Sequence, residues 1–160
     1  MHAGELERAE GPMSYALAAG EGVPARAPEG SAMLVKAGVA ETHGLFGLLE
    51  GIDRAGFTTV VHRHHVAESW YVLDGEYRYY LDGRWLEVGP GGFVFVPAGV
   101  AHGLRCVSDG RKLTLFVPGG TEGFFREVHA ALETEELTPA AVSDIGGRYG
   151  IEVLGPLPAA

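Results

Sequence analysis

Glycine sets the strongest limit on what this chain can become. Twenty-five of its 160 residues are glycine, about twice the usual ~7% share. From residue 74 onward glycines recur beside Asp or Pro at short intervals: Asp74-Gly75, Asp82-Gly83, Gly89-Pro90-Gly91-Gly92, Pro97-Ala98-Gly99, Asp109-Gly110 and Gly119-Gly120. Each supplies a positive or fixed φ at a bend. Between and before them lie short apolar or alternating runs at 33–35, 45–52, 57–61, 69–73, 76–81, 93–96 and 112–117. These read as seven or so strands. Short strands closed by regular hairpin turns make an antiparallel barrel or sandwich, so the fold class is all-β.

The two ends of the chain have a different texture. Residues 1–30 are rich in Ala, Gly, Glu and Pro without a sustained period. They read as a loosely held tail or an arm docking on a neighbour, with the barrel over 31–120. After Gly120 the period becomes helical: Thr121 stands as an N-cap, and Phe124, Phe125, Val128 and Leu132 share one face. A second short helix begins at Thr138-Pro139 and runs toward Gly146-Gly147, and 149–158 reads as an extended tail. The segment 121–160 is thus a helical piece and tail packing on the barrel.

Charge and cysteine content exclude several roles. Twelve Lys+Arg against 21 Asp+Glu give a formal charge of −9, and no basic run offers a footprint for phosphate backbones or anionic lipids. Nucleic acid and membrane surfaces are poor partners; a small molecule fits better. The lone cysteine, Cys106, cannot form an internal disulfide, and neither a leader nor a spanning segment is read in the sequence, so the cytoplasm is the expected compartment.

Four side chains carry the chemistry. His62 and His64 are two apart at a strand end, so both point to one face, and in a barrel that face is the interior. Glu68 shares parity with Trp70 and Val72, placing a carboxylate at the head of a bulky apolar face, where it needs a partner. His102 follows the turn Pro97-Ala98-Gly99. Three imidazoles and a carboxylate converging inside a barrel suit a divalent transition metal.

The segment from Gly56 to Gly75 resembles the first motif of the cupin superfamily, G-x5-H-x-H-x3-E-x6-G, at Gly56, His62, His64, Glu68 and Gly75. The second motif, G-x5-P-x-G-x2-H-x3-N, is matched by Gly91, Pro97, Gly99 and His102, with Cys106 where the family usually has Asn. The run 117–127 is similar, more distantly, to the post-barrel segment of bacterial quercetin 2,3-dioxygenase-like cupins. The resemblance implies an antiparallel double-stranded β-helix, the jelly-roll barrel, with one or two short C-terminal helices. It also implies metal ligands His62, His64, Glu68 and His102, with Glu68 doubling as a catalytic proton acceptor, and a homodimer.

On this reading the protein is a metal-dependent enzyme of dioxygenase type, using Fe, Mn, Ni or Zn and acting on a small aromatic or enol-bearing molecule with O2. The alternatives are a non-redox metal cupin, such as an isomerase or cyclase, and a metal- or small-ligand-binding module without turnover. Trp70, Phe93 and Phe95 are expected either as core or as walls of an apolar substrate pocket. His65 should point away from His64, and Cys106 reads as a small buried hydrophobe. On the strand at 76–81 either Tyr77 and Tyr79 or Arg78 and Tyr80 face inward, a choice left open by alternation alone.

Overall fold

The computed structural model of the chain describes residues 13–160. In chain order the first elements are β1 (Val23–Arg26), β2 (Ala32–Ala37), α1 (Val39–Thr42), β3 (Gly47–Asp53), β4 (Val61–Arg63), β5 (Ala67–Asp74), β6 (Tyr77–Leu81) and β7 (Arg84–Val88). There follow β8 (Phe93–Val96), β9 (His102–Cys106), β10 (Gly110–Val117), α2 (Glu122–Leu132), α3 (Pro139–Arg148) and β11 (Glu152–Gly155). The strands form two antiparallel sheets, ordered β1-β2-β3-β10-β5-β8 and β11-β4-β9-β6-β7. They face one another as the two halves of a jelly roll, the expected all-β architecture. Among the described residues no helix is long and apolar enough to cross a membrane.

Turn chemistry acts as the glycines foretold. Asp82 (φ 47) and Gly83 (φ 85) both sit at positive φ between β6 and β7, the requirement of a two-residue hairpin that follows strand twist. Gly75 (φ 83) is doubly constrained, because a Cβ there would lie 2.6 Å from the Asp109 carbonyl oxygen.

Several boundaries differ from expectation, each for a physical reason. β1 lies inside the segment read as a tail, and Ala25 and Ala27 are buried in the core. Pro24 argues against a strand in sequence, but β1 is a sheet edge, where a missing N–H costs little. The remainder of that expected arm, residues 1–12, lies outside the described residues. The run 57–61 is irregular up to Val60, held by an isolated bridge from Thr58 to Arg105, and the strand starts only at Val61. The extended C-terminal tail is in part β11, which pairs with β4. β7 is an exposed edge strand without a buried stripe, so its alternation gives no signal. Both longer helices appear; Thr138 caps α3 by accepting from the Ala141 N–H, while Thr121 caps α2 by position alone, without a side-chain bond.

Register decides which side chains reach the interior. On β10, Lys112, Thr114 and Phe116 face inward opposite Val72, Trp70 and Glu68 of β5. On β6 the inward pair is Tyr77 and Tyr79, both fully buried, so Arg78 and Tyr80 face out. Beneath Tyr77 lies a polar knot: Asp53 accepts from Ser31, from the Tyr77 hydroxyl at 2.5 Å and from Lys112 Nζ at 2.5 Å. Those three donors satisfy a carboxylate that is otherwise shut off from water.

Candidate metal centre

The centre is assembled from three strands and the turns that feed them. β4 and β9 are antiparallel neighbours in which His62 stands directly opposite His102, bringing the two rings to 4.3 Å between centroids. His64 follows β4 and turns inward, its ring 5.0 Å from His102, while Glu68 enters from β5 in the facing sheet. One ligand atom from each of His62, His64, Glu68 and His102 falls within a group spanning no more than 4.8 Å. His64, Glu68 and His102 are buried and His62 is half-buried.

Hydrogen bonding sets the tautomers. The Nδ1 of His62 lies 2.9 Å from the Val60 carbonyl, that of His64 2.9 Å from Val66 and that of His102 2.8 Å from Val100. A carbonyl oxygen only accepts, so each Nδ1 carries the proton and each neutral ring presents an Nε2 lone pair. Yet Glu68 Oε2 sits 2.7 Å from His64 Nε2 and 3.0 Å from His102 Nε2. A carboxylate pressed against two lone pairs demands positive charge between them, either as protons on the rings or as a cation held by all four groups. The donor set, three imidazole nitrogens oriented by their backbone bonds and one carboxylate oxygen, therefore fits a divalent transition metal.

With protons alone the same demand is visible in the titration of the groups. Burial by itself would raise the Glu68 carboxyl, but the bonds from His102 and His64 outweigh it and hold it down at about 2. Burial would lower His102, yet its bond to Glu68 prevails and raises it. His62, desolvated and beside His102, is pushed down to about 4. Trp70 packs edge-on to His102 and Phe116 edge-on to His64, fixing both rings from the apolar side.

Above the four residues opens a cavity of about 330 Å³. Its walls are mostly apolar: Trp70 and Phe116 from the strands, Phe124 and Phe125 from α2, Val142 from α3. Trp70 thus stands where a pocket wall was expected. Phe93 and Phe95 do not: they are 64% and 55% exposed on the outer face of β8. The register pairs Val94 with Trp70 and Val96 with Glu68, so the valines take the interior. In Phe-Val-Phe-Val both parities are apolar, and alternation cannot choose between them. Phe124 and Phe125 were legible only as a helix face, and Thr114 was missed although it shares parity with Lys112 and Phe116. His65 is exposed and packs near Gly150, outside the cluster. Cys106 is fully buried, its thiol raised by burial and bonded to the Ser108 carbonyl, as a small core residue.

Comparison with known proteins agrees with this construction. Residues 49–118 match the family model described as a cupin domain. The chain is 32% identical over 122 residues to a quercetin 2,3-dioxygenase from Bacillus subtilis, an alignment covering 75% of this chain but 36% of that protein. Among solved structures, an RmlC-like cupin from Shewanella frigidimarina superposes with a TM-score of 0.61 at 22% identity, covering 70% of this chain and 96% of the other. A salicylate 1,2-dioxygenase from Pseudoaminobacter salicylatoxidans gives 0.53 at 16% identity, over 59% of this chain and 28% of the other. At those identities the structural likeness speaks for the fold. Two-sheet architecture and motif spacing agree with the family match: residues 49–118 are similar to the cupin domain, and the chain shares the jelly-roll fold of its structural neighbours.

Proposed function

We propose that this protein is a metal-dependent oxidoreductase of dioxygenase type that acts on a small aromatic or enol-bearing molecule. The observation that carries the reading is the convergence of His62, His64, Glu68 and His102 at the head of an apolar cavity. The likeness to the Bacillus subtilis enzyme supports the reaction class. These four residues would hold the ion, and their donors accept Fe, Mn, Ni or Zn. When bound, such an ion supplies Lewis-acid polarisation of an enol oxygen and, if redox-active, a centre for reaction with O2.

The chain's own residues do the rest. Trp70, Phe116 and the aromatics of α2 exclude water and hold a flat apolar substrate against the cluster. Glu68 is the carboxylate of the cluster at the head of that cavity, so it accepts the proton released when the enol ionises. The N–H···O=C bonds of the three rings keep them from swinging as charge moves.

The test is metal analysis after anaerobic purification, followed by O2 uptake with quercetin and related flavonols. Stoichiometric metal and metal-dependent O2 consumption are expected. Conversion of an enol substrate without O2 uptake would move the protein to the redox-neutral cupins, and metal binding with no turnover of any enol would make it a binding module. The reading carries with it a homodimer, checked by sedimentation.

A further inference from the structure

The inward face of β10 descends into the cavity in three steps. Phe116 stands opposite Glu68, at the level of the metal centre; Thr114 stands opposite Trp70; Lys112 stands opposite Val72. Each step is one pleat repeat, about 7 Å along the strand. All three residues line the cavity.

Thr114 is only 2% exposed, and among the described residues its Oγ1 has no hydrogen-bond partner. A threonine there is therefore not explained by the fold: valine has the same shape and would avoid an unpaired buried hydroxyl. Lys112 adds donors one step beyond. Its Nζ is held by Asp53 at 2.5 Å, which is its one side-chain hydrogen bond among the described residues, and an ammonium carries three N–H groups. The mostly apolar cavity, which Glu29, Thr59 and Ser143 also line, thus carries a buried polar step at Thr114–Lys112 apart from the four-residue cluster.

We propose that Thr114, backed by Lys112, determines substrate specificity. A molecule that places its enol oxygen at the cluster carries a second oxygen, a hydroxyl or carbonyl, about 7 Å away along the β10 direction, and Thr114 hydrogen-bonds it. Substrates lacking that oxygen leave the Thr114 hydroxyl unpaired and bind less well, the discrimination expected of a site built around a polar contact. This inference rests on the enol-substrate reading above.

The experiment is anaerobic calorimetric titration of the metal-loaded protein with quercetin and with 3-hydroxyflavone, which keeps the enol oxygens but lacks the other ring hydroxyls. Wild type, T114S and T114V are compared, with thermal melts of all three. Wild type and T114S are expected to bind quercetin about tenfold more tightly than 3-hydroxyflavone, the effect of one neutral hydrogen bond. T114V should bring that ratio to within about twofold, with 3-hydroxyflavone affinity and melting temperature unchanged or higher. An unchanged ratio in T114V overturns the role of Thr114 while leaving the enol-substrate reading intact. Failure of wild type to bind either flavonol removes the reading itself and the inference with it. Loss of folding in T114V would also refute the proposal, since it would show the hydroxyl serving the fold.

Discussion

Lys112→Met tests the polar knot that closes the inner end of the barrel. Lys112 and Asp53 side chains are 4% and 0% exposed, and the 2.5 Å contact between them is the only charge compensation Asp53 receives among the described residues. Methionine keeps most of the apolar stem and its packing against Phe57 and Tyr77, so little cavity forms. The loss is then chiefly that of a buried carboxylate left with two neutral hydroxyl donors, Ser31 and Tyr77. Breaking one partner of a buried pair costs about 3–5 kcal/mol. At about 2–4 °C per kcal/mol for a chain of this size, the melting temperature should fall by roughly 10 °C. Asp53→Asn should cost a similar amount alone, by leaving Lys112 unpaired, but placed on K112M it removes the offending charge and recovers about 2 kcal/mol. Urea melts of the four proteins give the coupling energy directly. A K112M cost under about 1 kcal/mol, or additivity of the two substitutions within ~0.5 kcal/mol, would show that the pair is electrostatically idle and refute the reasoning.

The remaining predictions concern the site and the C-terminal clasp. His102→Ala removes one of the four donors and the cross-strand partner of His62, so elemental analysis should find the purified variant without stoichiometric metal; full loading would reject the ligand set. Glu68→Gln keeps a neutral oxygen donor but no proton acceptor, so metal content should largely persist while turnover of an enol substrate falls by about 10²-fold or more; an undiminished rate would end the proton-acceptor role. Between α2 and α3, the Tyr149 hydroxyl donates to Glu127, which also pairs with Arg148 at 2.5 Å. The Tyr149 bond, opposed by burial and helped by Arg148, holds Glu127 below its ordinary value, while burial and Glu127 push Tyr149 up to about 12. The Glu127 contribution is therefore present above pH ~4.5 and lost as pH falls through its depressed value, whereas that of Tyr149 is present below pH ~10 and lost as pH rises toward 12. Tyr149→Phe should flatten both limbs in denaturation curves measured across pH, by well under 1 kcal/mol on the acid side because the Glu127 side chain is 42% exposed and screened by solvent.

Much of the site was legible because it is written locally. His62 and His64 are two residues apart, Glu68 four further on, and the turn Pro97-Ala98-Gly99 fixes the entry of His102; each constraint lies within a few residues of backbone, where alternation and turn chemistry act. Strand runs flanked by Asp-Gly pairs and the capped helix at Thr138 were readable for the same reason. Edge strands were not. β1 contains Pro24, β7 has no buried face, and β11 is a short exposed strand after a helix, so none shows the half-buried alternation by which a strand announces itself.

The sequence by itself determined the architecture and the four-residue cluster, because turn positions and strand parity are properties of neighbouring residues. Only the tertiary structure decided what surrounds that cluster. Which parity of Phe93-Val94-Phe95-Val96 faces in depends on its register against β5, and which of Tyr77 to Tyr80 reaches the interior depends on the register against β9. Likewise the closure of the cavity by α2 and α3, and the lack of a partner for the Thr114 hydroxyl among the described residues, follow from how distant segments pack against one another. Side-chain alternation repeats every two residues and carries no label for inside or outside; the label is assigned when two sheets close on each other and one face of each loses its water.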